Sequence, residues 1–266
     1  MIDTVEFYNT PDRIPDGIIE RRAPILALAG DVGLAFTDTL RFFLHQQADR
    51  FEQVLFLAGN HEFYNKGGTP HTVDEQLEWL RQVCDEKDNL HFLERQAVEI
   101  GGVLILGTTL WSFVPESLEE LAESSMNDYH LSYVQHKNGN RYKMTAAFTN
   151  QWHKESLSWL QEMIRQAEEQ QQPVVVLTHH TPSLQGTSNP RYDGSYLSHC
   201  FSTDLLYLLK DPVKFWACGH THYNFQQRFA NGTKLISNQR GYPGQERIDY
   251  DEEGLVISVP VPNKST

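Results

Sequence analysis

A chain of 266 residues, 39% of them hydrophobic and 21% charged, carries enough apolar material for a packed core and is not composed like a disordered polymer. Its 35 acidic and 22 basic residues give a formal net charge of −13. No basic surplus is left to displace counterions from nucleic acid, so no nucleic-acid coat is expected, although divalent cations would let such a chain take a phosphate-bearing substrate. Three scattered cysteines, no apolar run near the ~18 residues of a membrane span and no basic-then-apolar leader exclude a disulfide framework and a membrane protein, and predict a cytoplasmic one.

Five short apolar runs punctuate the chain: residues 24–29 (PILALA), 53–58 (QVLFLA), 102–106 (GVLIL), 173–177 (PVVVL) and 214–218 (KFWAC). Their apolarity is continuous rather than alternating, which predicts strands buried on both faces in a layered α/β fold. Between them, helical spacing predicts helices over residues 37–50, 72–85 and 145–170, and a shorter one over 202–209. Residues 115–144 break the rhythm and read as a polar insertion with a helical piece at 116–124 and a turn at 138–140. Residues 181–199, rich in Pro, Ser, Gly and Asn, form a long loop of the kind that often serves function. The tail predicts strands at 225–229 and 234–237. No repeat or linker composition appears, so one domain over residues 1–266 is expected.

Four segments share one placement, immediately after an apolar run. They are Gly30-Asp31, Gly59-Asn60-His61-Glu62, His179-His180 and Gly219-His220-Thr221-His222. Ligands of α/β sheets gather beyond the carboxyl ends of the strands, so these four ends can meet at one point. Each brings a carboxylate, amide carbonyl or imidazole able to bind a divalent ion, and glycine relieves the sharp strand-to-loop turns. Singly, each segment also reads as an ordinary turn, cap or buried pair. Jointly, four coincidences in one context point to a metal centre. Cys218 reads as a small buried residue rather than a ligand.

In this order the four segments resemble the later motifs of the calcineurin-like metallophosphoesterase family, over residues 24 to 240. The resemblance implies a four-layer α-β-β-α sandwich, two divalent metal ions (Mn, Fe, Zn or Mg) and hydrolysis of a phosphomonoester or phosphodiester by metal-activated water or hydroxide. It makes Asp31 the carboxylate that bridges the ions. Asn60, His179 and His220 complete one site, His222 belongs to the other, and His61 is the catalytic histidine. Glu62 and His180 become partners that fix turns or tautomers.

The family's first motif, Asp-x-His after a first strand, has no counterpart here, because residues 1–30 contain no histidine. The expectation is therefore a fold missing its first strand, one complete metal site and a half-built neighbour, so that this form binds two ions or one. Of three explanations, a sequence lacking its true N-terminus is favoured. The others are a single-metal enzyme, and a catalytically weakened or inactive member acting as a metal-binding or regulatory protein. A β-lactamase-type hydrolase would want His-x-His-x-Asp, and residues 220–224 end in Asn instead. Arg191, Tyr192 and Tyr196, with Asn127, Asp128 and Tyr129, are candidates for the site mouth. The substrate's identity and the oligomeric state are not legible in the sequence.

Overall fold

A computed structural model describes residues 18–137, 139–242 and 249–260. The first two apolar runs form β1 (Ile25–Ala29) and β2 (Gln53–Leu57), which pair in parallel with the short β3 (Leu90–Phe92) in the order β1-β2-β3. The second sheet has the order β10-β11-β9-β8-β5-β4, built from β4 (Gln96–Ile100), β5 (Val103–Thr108), β8 (Val174–Thr178), β9 (Val213–Ala217), β10 (Phe225–Arg228) and β11 (Lys234–Ser237). Its β5, β8, β9 and β11 run parallel, and β4 and β10 are antiparallel edges. Among the described residues β1 pairs with β2 alone, so it lies at the edge of its sheet.

Side-chain alternation converts these sheets into four layers. Val54 and Phe56 of β2 face one core, shared with Leu40, Phe43 and Leu44 of α1 (Asp38–Arg50) and Leu77, Leu80 and Val83 of α2 (Val73–Asp85). Leu55 and Leu57 face the opposite way and meet Ile105, Val175, Leu177 and Phe215 between the two sheets. Val174, Val176 and Trp216 point outward again, against Leu160, Ile164 and Ala167 of α5 (Ala146–Glu169). Central strands are therefore buried on both sides, which is why their sequences are apolar without alternation.

Helix limits follow their caps. The Thr37 hydroxyl accepts from Leu40 N, Thr72 and Glu75 form a reciprocal capping box, and Thr145 accepts from Phe148 N. Residues 202–209 do not form the expected helix and make only a 3-10 turn at Leu206–Leu208. Thr203 N and Leu205 N donate to Thr181 O and Pro182 O, and Leu208 N and Leu209 N reach back three residues, to Leu205 O and Leu206 O, so the turn that forms is 3-10 rather than α. The polar stretch 115–144 holds a 3-10 turn (Glu116–Leu118), α3 (Glu119–Ser125), α4 (Asn127–Leu131) and a hairpin of β6 (Tyr133–Gln135) with β7 (Arg141–Lys143). The turn expected at 138–140 falls partly on Asn138, outside the described residues.

Gly107 shows how closely the layers approach. A Cβ there would collide with Leu93 Cβ and lie 2.7 Å from its Cδ1. Gly107→Ala is therefore expected to destabilise the chain by about 1–3 kcal/mol. Combining it with Leu93→Ala, which removes Cγ and Cδ1 but keeps Cβ, should cost less than the sum of the two single changes, as denaturant midpoints would report; strict additivity would show that the collision with Leu93 Cβ carries the whole cost.

Candidate metal centre

Each ligand-type residue follows a strand that ends at the same edge of the sandwich. Gly30 and Asp31 follow β1, Gly59 and Asn60 follow β2, His179 follows β8, and Gly219 and His220 follow β9. Gly30 turns with φ +88°, and Asp31, His220 and His222 also hold left-handed backbone, at φ 55°, 71° and 50°. Three polar side chains in a region that L-residues seldom adopt imply surroundings that over-determine the turns. Gly59 is fixed by space as well, because a Cβ there would lie 2.6 Å from both Asp31 N and His179 Cε1.

Four donors converge. His179 Nε2 lies 3.0 Å from Asn60 Oδ1, 3.1 Å from His220 Nδ1 and 3.4 Å from Asp31 Oδ2, and His220 Nδ1 lies 3.1 Å from Asn60 Oδ1. Atoms held about 2.0–2.2 Å from one ion stand roughly 3.0–3.5 Å apart, so the donor set fits a single divalent cation. The other edge of His179 bonds Ala29 O through Nδ1 at 2.8 Å, which leaves the lone pair of the neutral ring on Nε2, inside the cluster. Asp31 Oδ1 accepts the His61 backbone N–H at 2.9 Å, while Oδ2 is buried with no hydrogen-bond partner among the described residues. An orphaned carboxylate oxygen facing an imidazole lone pair is what a cation would satisfy.

The surroundings hold these donors in place. Asn60 Nδ2 donates to Asp128 Oδ1 at 2.7 Å and to Tyr64 Oη at 2.9 Å, which turns the amide so that Oδ1 faces inward. Tyr64 in turn donates to Asp128 at 3.0 Å. Glu62, wholly buried, accepts four backbone N–H bonds: from Asp31 (2.9 Å) and Gly59 (2.6 Å) on Oε2, and from Val32 (2.6 Å) and Gly33 (3.0 Å) on Oε1. The His180 ring packs 4.1 Å from that of His220, centroid to centroid.

Charge in the cluster is finely balanced. Burial alone would raise the Asp31 carboxyl, but the charges of His179 and His61 hold it well below the usual carboxylate range. Burial would lower His179, yet Asp31 raises it to about 9. Burial and the neighbouring imidazolium charge push His180 and His220 well down. Burial and the Asp31 charge raise Glu62 to about 7, against the pull of its bonds from Gly33 and Gly59. In the metal-free chain the extra proton of His179 thus does the work of a cation.

His61 and His222 lie beside this cluster on the wall of an open cleft of about 550 Å³. His61 Nε2 is 3.9 Å from Asp31 Oδ2, and its ring stacks on Tyr64 at 4.5 Å. Among the described residues the one group of three or more His, Cys, Asp or Glu side chains close enough to share an ion is Asp31, His179 and His220; His222 is outside it. Arg191, Tyr192 and Asn127 line the cleft, as does Tyr242, which no sequence motif singled out. Three mouth assignments are corrected. Asp128 is buried behind Asn60, Tyr129 is buried with its hydroxyl 3.2 Å from Thr149 Oγ1, and Tyr196 is 72% exposed and off the cleft wall. Cys218 is fully buried, as its apolar strand requires. No helix among the described residues is long and apolar enough to cross a membrane.

The model of the family of calcineurin-like phosphoesterases matches residues 6–224. An uncharacterized protein of Acanthamoeba polyphaga mimivirus is 31% identical over 232 residues, covering 85% of this chain and 81% of that protein. Among solved structures, a phosphopantetheinyl hydrolase from Mycobacterium tuberculosis superposes with a TM-score of 0.61 at 20% identity, over 85% of this chain and 82% of that one. A dimetal phosphatase from Danio rerio gives 0.48 at 14% identity, over 82% and 73%.

Two outcomes follow from the geometry. Glu62→Gln turns an N–H group toward backbone N–H donors, so it should lower stability by about 1–3 kcal/mol for each donor left unpaired and reduce bound metal; unchanged melting temperature and metal content would refute the tie. Metal binding should displace the His179 proton. Between about pH 7.5 and 8.5, above Glu62 and below His179, affinity for Mn²⁺ should therefore rise about tenfold per pH unit with release of one proton. Calorimetry in buffers of different ionisation enthalpy measures this, and a pH-independent affinity would contradict it.

Proposed function

This chain belongs to the calcineurin-like phosphoesterase family, and from that premise we propose that it hydrolyses a phosphomonoester or phosphodiester in the cleft between His61, His222 and Arg191. The observation that carries the reading is the convergence of Asp31, Asn60, His179 and His220 donors within 3.0–3.4 Å, with a proton-bearing histidine beside them that the donor set does not use. Those four residues would hold the tighter ion. Asp31 together with His222 offers ligands toward a second position. When bound, divalent ions supply neutralisation of the phosphoryl oxygens and acidify the attacking water.

The remaining work falls to the chain's own groups. Asp31 is tied through Oδ1 to the His61 main chain, so the carboxylate and the imidazole keep a fixed spacing. His61 Nε2 faces the cluster and is part-buried in the cleft wall, a placement suited to a general acid. As a water oxygen bonds to phosphorus and gives up a proton to solvent, the bond to the leaving oxygen breaks, the electron pair stays on that oxygen and the His61 proton neutralises it; solvent reprotonates the ring. Arg191, whose guanidinium lies 4.5 Å over the Tyr192 ring at the same cleft, supplies a fixed positive charge for an anionic substrate in an otherwise acidic protein.

The purified chain is expected to hydrolyse nitrophenyl phosphate esters or diesters with added Mn²⁺, and Asp31→Ala should abolish both activity and metal binding. His61→Ala should lower kcat by about 10²–10⁴-fold with metal content unchanged. Metal bound without turnover under Mn²⁺, Fe²⁺, Zn²⁺ or Mg²⁺ would replace this reading with that of a metal-binding or regulatory protein.

A further inference from the structure

Tyr242 lies beyond the stretch that carries the family match, which ends at residue 224, yet it reaches back into the site. Its hydroxyl is 3.2 Å from His61 Nε2, the ring nitrogen that also stands 3.9 Å from Asp31 Oδ2. The other nitrogen of His61, Nδ1, is buried with no hydrogen-bond partner among the described residues. The Tyr242 hydroxyl therefore engages the one polar edge of His61 that faces the donor cluster.

The rest of the His61 environment chooses that edge only weakly, since Asp31 Oδ2 stands 3.9 Å from Nε2, beyond hydrogen-bond distance. Tyr64 stacks on the ring with centroids 4.5 Å apart and planes 27° apart, which fixes the plane but not the rotation within it. A half-turn about the Cβ–Cγ bond would leave the plane and the stacking almost unchanged and put carbon Cε1 where Nε2 now stands, because this torsion is broad and roughly two-fold. A hydrogen bond to Nε2 separates the two orientations; ring contact does not. Tyr242 is itself braced for the task, its ring packing edge-on against His222 at 4.4 Å with planes 78° apart.

We infer that Tyr242 is a positioning residue for His61: its hydroxyl holds the imidazole in the orientation that turns Nε2 toward the metal cluster and the leaving group. The catalytic consequence rests on the reading of His61 as the proton donor, while the tether itself is a matter of geometry. Its effect is on the rate of the step that uses the proton and not on substrate capture, and it grows as the leaving group becomes more basic.

Tyr242→Phe tests this, since it keeps the ring against His222 and removes only the hydroxyl. The expected result is a kcat about tenfold lower with KM within about twofold, a larger loss on alkyl than on nitrophenyl phosphate esters, and no further loss when added to His61→Ala. In the metal-free protein, nuclear Overhauser contacts of the His61 Hδ2 and Hε1 protons with the neighbouring side chains should show one ring orientation in the parent chain and a mixture of two in Tyr242→Phe. Equal losses in the parent and His61→Ala backgrounds, or a kcat unchanged on alkyl esters, would overturn the catalytic consequence. An unchanged His61 spectrum would overturn the tether. If His61→Ala alone leaves kcat intact, the reading of His61 as acid fails, and the spectrum still decides whether Tyr242 holds the ring.

Discussion

The centre of this molecule depends on one buried carboxylate. Glu62 binds the N–H groups of Asp31, Val32 and Gly33 after β1 and of Gly59 after β2. A carboxylate removed from water costs several kcal/mol unless its lone pairs are satisfied, and four backbone donors satisfy them. In exchange, the loops after β1 and β2 are pinned to each other at their first residues. The left-handed turn at Asp31 is thereby enforced, and Asp31 returns the bond by accepting His61 N. Strand ends, ligand and catalytic candidate become one rigid unit across 31 residues of sequence.

A second set of ties joins that unit to the other sheet. His179, at the end of β8, bonds Ala29 O of β1, and Thr109 Oγ1 after β5 bonds Ala58 O after β2 at 2.8 Å. Gly219 N donates to His179 O at 2.9 Å and brings His220 alongside. The first two are hydrogen bonds between strand ends of different sheets, made where the sandwich leaves backbone groups unpaired, and the third joins neighbouring strand ends of one sheet. The close approach they need explains the glycines: at positions 30 and 59 any side chain would occupy the space of Asp31 or His179. Packing of the layers and geometry of the donors are therefore a single constraint, satisfied at one edge of the fold.

Much of this was legible in the sequence because burial on two faces writes a continuous apolar run, and because strand ends of parallel sheets share an edge. The runs before Gly30, Gly59, His179 and Gly219 are β1, β2, β8 and β9, each within a residue of its expected limits. What escaped is what has no pattern. β3 and β4 are short or half-exposed edge strands with mixed composition. Asp128 looks like a polar loop residue, and only the fold reveals it buried against Asn60 and Tyr64, 68 and 64 residues away. The Ser202–Leu209 periodicity was real, since Leu205, Leu208 and Leu209 are all buried, but the bonds of Leu208 N and Leu209 N run to Leu205 O and Leu206 O and make a 3-10 turn instead of an α-helix. Tyr242 is one of three tyrosines after the last motif, and its bond to a histidine 181 residues earlier leaves no local trace.

The geometry also divides the cleft into two halves with different chemistry. On one side, Asn60, His179 and His220 crowd around Asp31 with their polar edges turned inward, and each outer edge that bonds is committed to protein: Ala29 O for His179, Asp128 and Tyr64 for Asn60. That side is built to hold a cation, and without one it holds a proton on His179 instead. On the other side, His61, Tyr64, Tyr242 and His222 form a chain of aromatic contacts 4.4–5.9 Å apart, with a hydroxyl–imidazole bond from Tyr242 to His61 Nε2. Among the described residues Asp31 is the only carboxylate lining the cleft, and it belongs to both halves, through Oδ2 to the donors and through Oδ1 to the His61 main chain. A change at Asp31 therefore disturbs both halves together, whereas a change at Tyr242 reaches the second half alone. That asymmetry is the physical reason the two halves of the cleft can be altered separately by substitution.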